Sequence, residues 1–200
     1  MKREHGQRKA FRKFRISFNS PVVLTFVLLC LGAWLLNVIT LGRSNDWLFT
    51  TWHSSLKSPL TYVRFFTHVL GHTSWDHLLG NAAYLLLLGP LLEEKYGSVK
   101  IAQVILITAV VTGVVHYILF PGTALCGASG VCFAFILLTS FTGFNKGELP
   151  LTFILVAVIY LGQEIYKGIF VRDNVSNFSH IIGGVIGAFI GYIENRKKPS

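Results

Sequence analysis

Long windows free of Asp, Glu, Lys and Arg constrain this chain more than any other feature. They cover residues 21–42, 77–92, 101–145, 149–163 and 174–193. A charged side chain at the centre of a bilayer is costly, so uninterrupted apolar runs read as membrane spans. A span takes ~20 residues, so residues 101–145 are too many for one and suit two. Pro121-Gly122-Thr123-Ala124-Leu125-Cys126-Gly127 supplies the turn between them. The two shorter windows reach span length by extending over Trp75-Asp76 and through Gln163-Glu164. The expected fold is therefore an all-α membrane protein with six transmembrane helices. Their expected limits are about 21–41, 75–94, 99–120, 128–144, 150–169 and 177–194. The first run is too long for a signal-peptide core, and no small-residue cleavage site follows it. Glu4 and the shortness of the leader argue against a transit peptide.

Composition agrees with a membrane protein. Hydrophobic residues make up 52% of the chain and charged ones 14%, against about 25% charged in a soluble domain. Mean hydropathy is +0.56. The net charge of +9 could suggest nucleic acid, but its placement excludes that reading. Seven of the 18 basic residues lie in residues 1–15, and Arg196, Lys197 and Lys198 close the chain. Six spans put both termini on one side. That side then holds thirteen Lys and Arg and the other side five, as the positive-inside rule requires of a cytoplasmic face. Three regions follow: a basic tail (1–20), a membrane domain (21–194) and a second basic tail (195–200). The expected location is the cell membrane, as a multi-pass protein of a bacterial inner membrane with both termini cytoplasmic. The long first outer loop, residues 43–74, carries Trp47, Trp52, Tyr62, Phe65 and Phe66 and suits the membrane interface. Cys30, Cys126 and Cys132 have no metal-ligand spacing. No metal or other cofactor is expected.

Polar side chains within the spans need a reason. His77 and Asn81 lie four residues apart, on one face of the second helix. Ser129 opens the fourth within Gly127-Ala128-Ser129-Gly130, and His180 lies near the outer end of the sixth. The six-span topology puts all four at one depth, just below the outer surface. Singly, each has a bland explanation: a serine bonded back to its own helix, a histidine bridging helices, polar groups reaching interfacial water. Jointly, they supply a nucleophile, a base and two donors, the components of acyl transfer. A serine hydroxyl needs a base to take its proton, and a neutral His180 can do so. With no acid nearby in the spans, a Ser-His dyad is expected; Asp173 reads as a solvated loop residue. Asn81, His77 and the Ser129 backbone N–H, free at a helix start, can stabilise an oxyanion. Gly183, Gly187 and Gly191 recur every four residues. Gly183 and Gly187 share a face with His180, a small-residue stripe that lets another helix come close.

These residues resemble the rhomboid intramembrane serine proteases over roughly residues 60–194. The resemblance includes Arg64-Phe65-Phe66-Thr67-His68, then His72, and the HxxxN element at His77 and Asn81. It continues through Glu94-Lys95-Tyr96-Gly97-Ser98, GxSG at Gly127–Gly130, and HxxGxxxG at His180, Gly183 and Gly187. It implies a six-helix bundle with a water-filled cavity opening outward. It implies Ser129 as nucleophile, His180 as general base, and His77, Asn81 and Gly127 around the oxyanion. It also implies lateral entry of substrate past the fifth helix and the loop near 170–177. Substrates of the family are single-span membrane proteins, cut near the outer face. Two positions depart from the pattern. Phe133 stands where many members have the tyrosine that stacks on the catalytic histidine, and Val63-Arg64 replaces a Trp-Arg pair. His68, His72 and His116 are expected to brace loops.

Two other functional classes fit the residues less well. A catalytically impaired relative acting as a membrane chaperone would lack the serine or the histidine, and both are present. A transporter would line a path across the bilayer with ionisable groups, whereas here the polar cluster sits at one end. Glu164 and Lys167 read as a surface pair at the outer end of the fifth helix.

Overall fold

The computed structural model describes residues 18–142, 151–170 and 174–196. Asp173 and the side chains of Glu164 and Lys167 fall outside the described residues. So do the greater part of both tails and part of the 170–177 loop.

Helix α1 (Pro21–Ile39) starts at a proline, whose missing N–H costs nothing in a first turn. Its N-terminus is capped from a distance. The Glu93 carboxylate accepts from the backbone N–H of Val22 and Val23, both at 3.0 Å, and from the hydroxyls of Ser20 and Ser98, both at 2.7 Å. A carboxylate there meets both the free amides and the positive end of the helix dipole. It also ties α1 to α3 (Trp75–Tyr96), which carries Glu93, and to α4 (Ser98–Leu119), which begins at Ser98. Gly97 joins α3 to α4 at φ 84°, a left-handed conformation that suits glycine.

Between α1 and α3 the chain folds back on itself. It forms a π-helical turn (Asn45–Phe49), a short strand β1 (Thr51–Trp52), helix α2 (Pro59–Thr67) and a 3₁₀ turn (His68–Leu70). Strand β1 pairs antiparallel with β2 (Ala124–Leu125), which lies in the turn after α4. This two-stranded ribbon departs from a purely helical expectation. The alternation over two residues is too short to show in a sequence.

Helix α5 (Ser129–Ser140) is central, packing against α3, α4, α6 (Leu151–Phe170) and α7 (Asn174–Arg196). From Gly130 to Leu138 all but Phe133 are buried. Its limits correct the expected 128–144: the N–H of Phe141 turns back onto the carbonyls of Leu138 and Thr139 and closes the helix at Ser140. At 1.5 Å per residue its 12 residues span about 18 Å, short of the ~30 Å bilayer core. Helix α7 begins three residues before the expected start and runs to Arg196.

Polarity is distributed opposite to that of a soluble protein. His68, His72, Asn81, Glu93, Thr108, Thr112 and His116 are buried. Leu28, Leu35, Leu87, Leu106, Val158, Val185 and Phe189 are exposed on the outer faces of the helices. Contiguous exposed apolar surface on this scale is the mark of a lipid-facing protein. Helices α1 and α4 are each long and apolar enough to cross a membrane.

Candidate active site

The site forms where the turn before α5 meets the start of α3 and α7. That turn is held at several points. Thr51 and Trp52 pair with Leu125 and Ala124. The His116 ring donates from Nε2 to the Thr123 carbonyl at 3.2 Å. The Gly127 N–H donates to the His68 carbonyl at 2.9 Å. Gly127 sits at φ 125°, where an L side chain is strained. A Cβ built there would lie 2.8 Å from both Cε1 and Nε2 of His77 and 3.8 Å from Asn81 Nδ2. Gly127 thus keeps open the space that His77 and Asn81 border. Ala128 precedes the first turn of α5, and its carbonyl accepts from Cys132 N–H at 3.0 Å. The N–H groups of Ser129 and Gly130 therefore begin a helix without partners inside it.

His77 is placed by the cap of α3. The Ser74 hydroxyl accepts from the His77 backbone N–H at 3.1 Å, an N-cap bond worth ~1 kcal/mol. The His77 ring packs edge-on against His72, with centroids 4.9 Å apart, and is near enough to His180 for the two rings to interact electrostatically. Asn81, one turn further along α3, is buried. Its Nδ2 lies 3.0 Å from His72 Nε2.

Helices α5 and α7 meet through their backbones. A Cβ on Gly183 would collide with the Gly130 carbonyl, and one on Gly187 with the Ala134 carbonyl. The pairing advances four residues on each helix, so the two run in the same direction. One turn back from Gly183, His180 reaches the level at which α5 begins. Its ring lies flat on Phe133, with centroids 4.4 Å apart and planes 4° apart. Ser129 is one turn above Phe133 on the same face of α5. The stacking expected of a tyrosine survives its replacement by Phe133, since the ring makes it and the hydroxyl does not. Tyr160 of α6 packs edge-on against the far part of this stack, 6.0 Å from Phe133. The structure therefore brings His77, Asn81 and Gly127 together, and sets Phe133, Gly183 and Gly187 where α5 meets α7 beside His180.

The loop histidines divide. His68 is buried, and its Nε2 donates to the Ala109 carbonyl at 3.0 Å. With His116 it braces the outer loops, as expected. Burial lowers the His68 pKa to about 4, against the raising effect of the Ala109 bond, and His116 lowers it further. His72 does more than brace, because it also bonds Asn81. The sequence spacing of His72 and Asn81 carries no sign of this, since the two lie on different elements. Arg64 finds an aromatic partner despite Val63. Its guanidinium lies 3.8 Å from the centroid of the Trp52 ring and donates from Nε to the Trp47 carbonyl at 2.9 Å. The tryptophan is supplied from twelve residues upstream, by a strand that sequence periodicity does not reveal. Among the described residues, no three His, Cys, Asp or Glu side chains are grouped to hold a metal ion.

Comparison with known proteins identifies relatives of this chain. Rhomboid-related protein 1 of Caenorhabditis elegans is 31% identical over 139 residues, 65% of this chain and 39% of that protein. The chain thus spans well under half the length of that relative. Rhomboid protease GlpG of Haemophilus influenzae is 24% identical over 178 residues, covering 86% of this chain and 91% of that protein. Rhomboid protease GlpG of Yersinia pestis is 26% identical over 194 residues, covering 95% of this chain and 68% of that protein. The Rhomboid domain profile matches residues 59–197, which take in His72, His77, Asn81, Gly127, Ser129, Phe133, His180, Gly183 and Gly187, and on that match the chain belongs to the rhomboid family, whose members are membrane-embedded.

Proposed function

We propose that this protein is an intramembrane serine endopeptidase. It cuts transmembrane segments of single-span membrane proteins near the outer face of the bilayer. In this reading α1, α3, α4, α5, α6 and α7 are six spans, both termini are cytoplasmic and the membrane is a bacterial inner membrane. The observation that carries the reading is the flat stack of Phe133 on His180, one turn below Ser129, where α5 and α7 touch through Gly183 and Gly130. That packing supports a hydroxyl and an imidazole working together across facing helices, near two side chains able to donate N–H.

The chemistry follows from these groups. Ser129 Oγ attacks the scissile carbonyl carbon while His180 takes its proton. The carbonyl oxygen becomes an oxyanion. It is met by Asn81 Nδ2–H, by His77 and by the free backbone N–H of Ser129, in the space Gly127 keeps open. Collapse of the tetrahedral intermediate breaks the C–N bond, and the histidine returns its proton to the leaving amine. Water, deprotonated by His180, then attacks the acyl-serine ester and regenerates the hydroxyl. The short α5 suits this role. A helix of about 18 Å leaves its N-terminal serine below the membrane surface, in reach of water entering from outside.

A fluorophosphonate probe tests the reading, because it labels only an activated serine. The wild-type protein should be labelled, and Ser129→Ala and His180→Ala should not. Both variants should lose cleavage of a model transmembrane substrate, and the double variant should be little worse than either, since members of a catalytic unit are strongly non-additive. Wild-type cleavage by Ser129→Ala would refute the proposal.

A further inference from the structure

An asparagine amide can point either way round, and only one way presents hydrogen-bond donors to an oxyanion. The neighbours of Asn81 decide the matter. His72 is fully buried. Its Nδ1 lies 3.0 Å from the Leu70 carbonyl oxygen, and a carbonyl only accepts, so Nδ1 carries the hydrogen. Burial lowers the His72 pKa to about 4; the Leu70 bond raises it and His77 lowers it further. The ring is therefore neutral near pH 7, and Nε2 is a bare acceptor. Asn81 Nδ2, 3.0 Å away, donates to it. On the other side the Cys132 thiol lies 3.7 Å from Asn81 Oδ1 and 3.6 Å from the Asn81 carbonyl, and donates to these oxygens. Turned the other way, Oδ1 would face the bare nitrogen, acceptor against acceptor, and the thiol would lose an acceptor. The second hydrogen of Nδ2 stays unused by His72, and Nδ2 borders the space beside Gly127.

We propose that His72 is a positioning residue for peptide hydrolysis: its bare Nε2 holds the Asn81 amide with the NH₂ group beside the Gly127 space, and the Cys132 thiol holds the amide oxygen on the opposite side. The proposal rests on the reading of Asn81 as an oxyanion donor. It gives His72 an effect on the transition state that a loop brace lacks, exerted wholly through Asn81.

The test is a mutant cycle, with kcat, KM and melting temperature measured for cleavage of a model transmembrane substrate. Asn81→Ala should lower kcat by about 10²–10³, the usual loss for one oxyanion donor. His72→Leu should lower kcat by roughly tenfold or more, within that bound, and leave KM unchanged. His72→Gln, whose side-chain oxygen can accept from Nδ2, should recover most of the loss. In the Asn81→Ala background His72→Leu should cost nothing further. Additive losses, or a His72→Leu effect confined to KM or to melting temperature, would overturn the proposal. Should His72→Leu fail to fold, Cys132→Val in the same cycle decides instead. It keeps the volume and removes the donor, so non-additivity with Asn81→Ala supports the proposal and additivity overturns it. If Asn81→Ala retains full kcat while Ser129→Ala is dead, the oxyanion assignment fails and this proposal with it. If Ser129→Ala is active, the protease reading itself has failed.

Discussion

Gly127 shows how much one missing side chain can decide. Its φ of 125° and its place against the His77 ring each exclude a Cβ. Alanine there would strain the turn and push the imidazole, the movable neighbour, away from the space it borders. A displacement of about 1 Å at a reacting centre can cost 10²-fold in rate. Gly127→Ala should therefore lower kcat by about that factor while the protein still inserts and binds substrate. Kinetics on the purified variant would show it, and an unchanged kcat would mean that the Gly127 space takes no part in the reaction. Phe133 teaches the complementary lesson. The change from the family's usual residue is visible in the sequence, but only the structure shows that the Phe133 ring keeps the flat stack on His180.

The α5–α7 contact carries the site at the level of elements. In lipid the hydrophobic drive between helices is absent, and close van der Waals contact takes its place. Gly183 and Gly187 permit that contact by laying backbone on backbone. Gly183→Val should force the helices apart, abolish cleavage and lower the melting temperature, although it removes no reacting group. Gly32 of α1 is the control, since a Cβ there meets nothing within 4 Å. Gly32→Ala should keep activity, and its better helix propensity is worth up to ~1 kcal/mol of stability. Cleavage rate and melting temperature of both variants decide the point. A stable, active Gly183→Val would mean that this stripe does not set the distance between Ser129 and His180. The glycine spacing in the sequence announced a packing face. It could not say which helix would cover it, because four-residue stripes fit any partner with small residues.

For the whole molecule, the parallel run of α5 and α7 agrees with the proposed topology. Two helices separated by one intervening span must cross in the same direction. The proposed orientation predicts that a single cysteine at position 55, in a cysteine-free background, reacts in intact cells with an impermeant reagent, whereas one at position 10 does not. The reverse pattern would invert the molecule and set the site on the cytoplasmic side. The inverted distribution of polarity follows from the same environment. Lipid makes exposed leucine harmless, while a buried carboxylate such as that of Glu93 takes its hydrogen bonds from within the protein.

Much of this was legible in the sequence because membrane spans are a composition signal. Charge-free windows located the long helices to within a few residues at most ends, and the polar residues inside them, each with a bland explanation singly, pointed to a site only jointly. The end of α5 was misread, since Phe141 and Thr142 are as apolar or small as the helix before them, and the turn is made by backbone bonds. Contacts between distant segments were not legible at all. The Glu93 carboxylate capping α1, the β1–β2 pair and the Trp52–Arg64 stack join residues with no periodic relation. The sequence by itself determined which polar groups fall within apolar, span-length segments, because burial in lipid penalises each side chain separately. The tertiary structure alone decided which way the Asn81 amide faces, because a hydrogen bond depends on where its partner is and not on what either residue is.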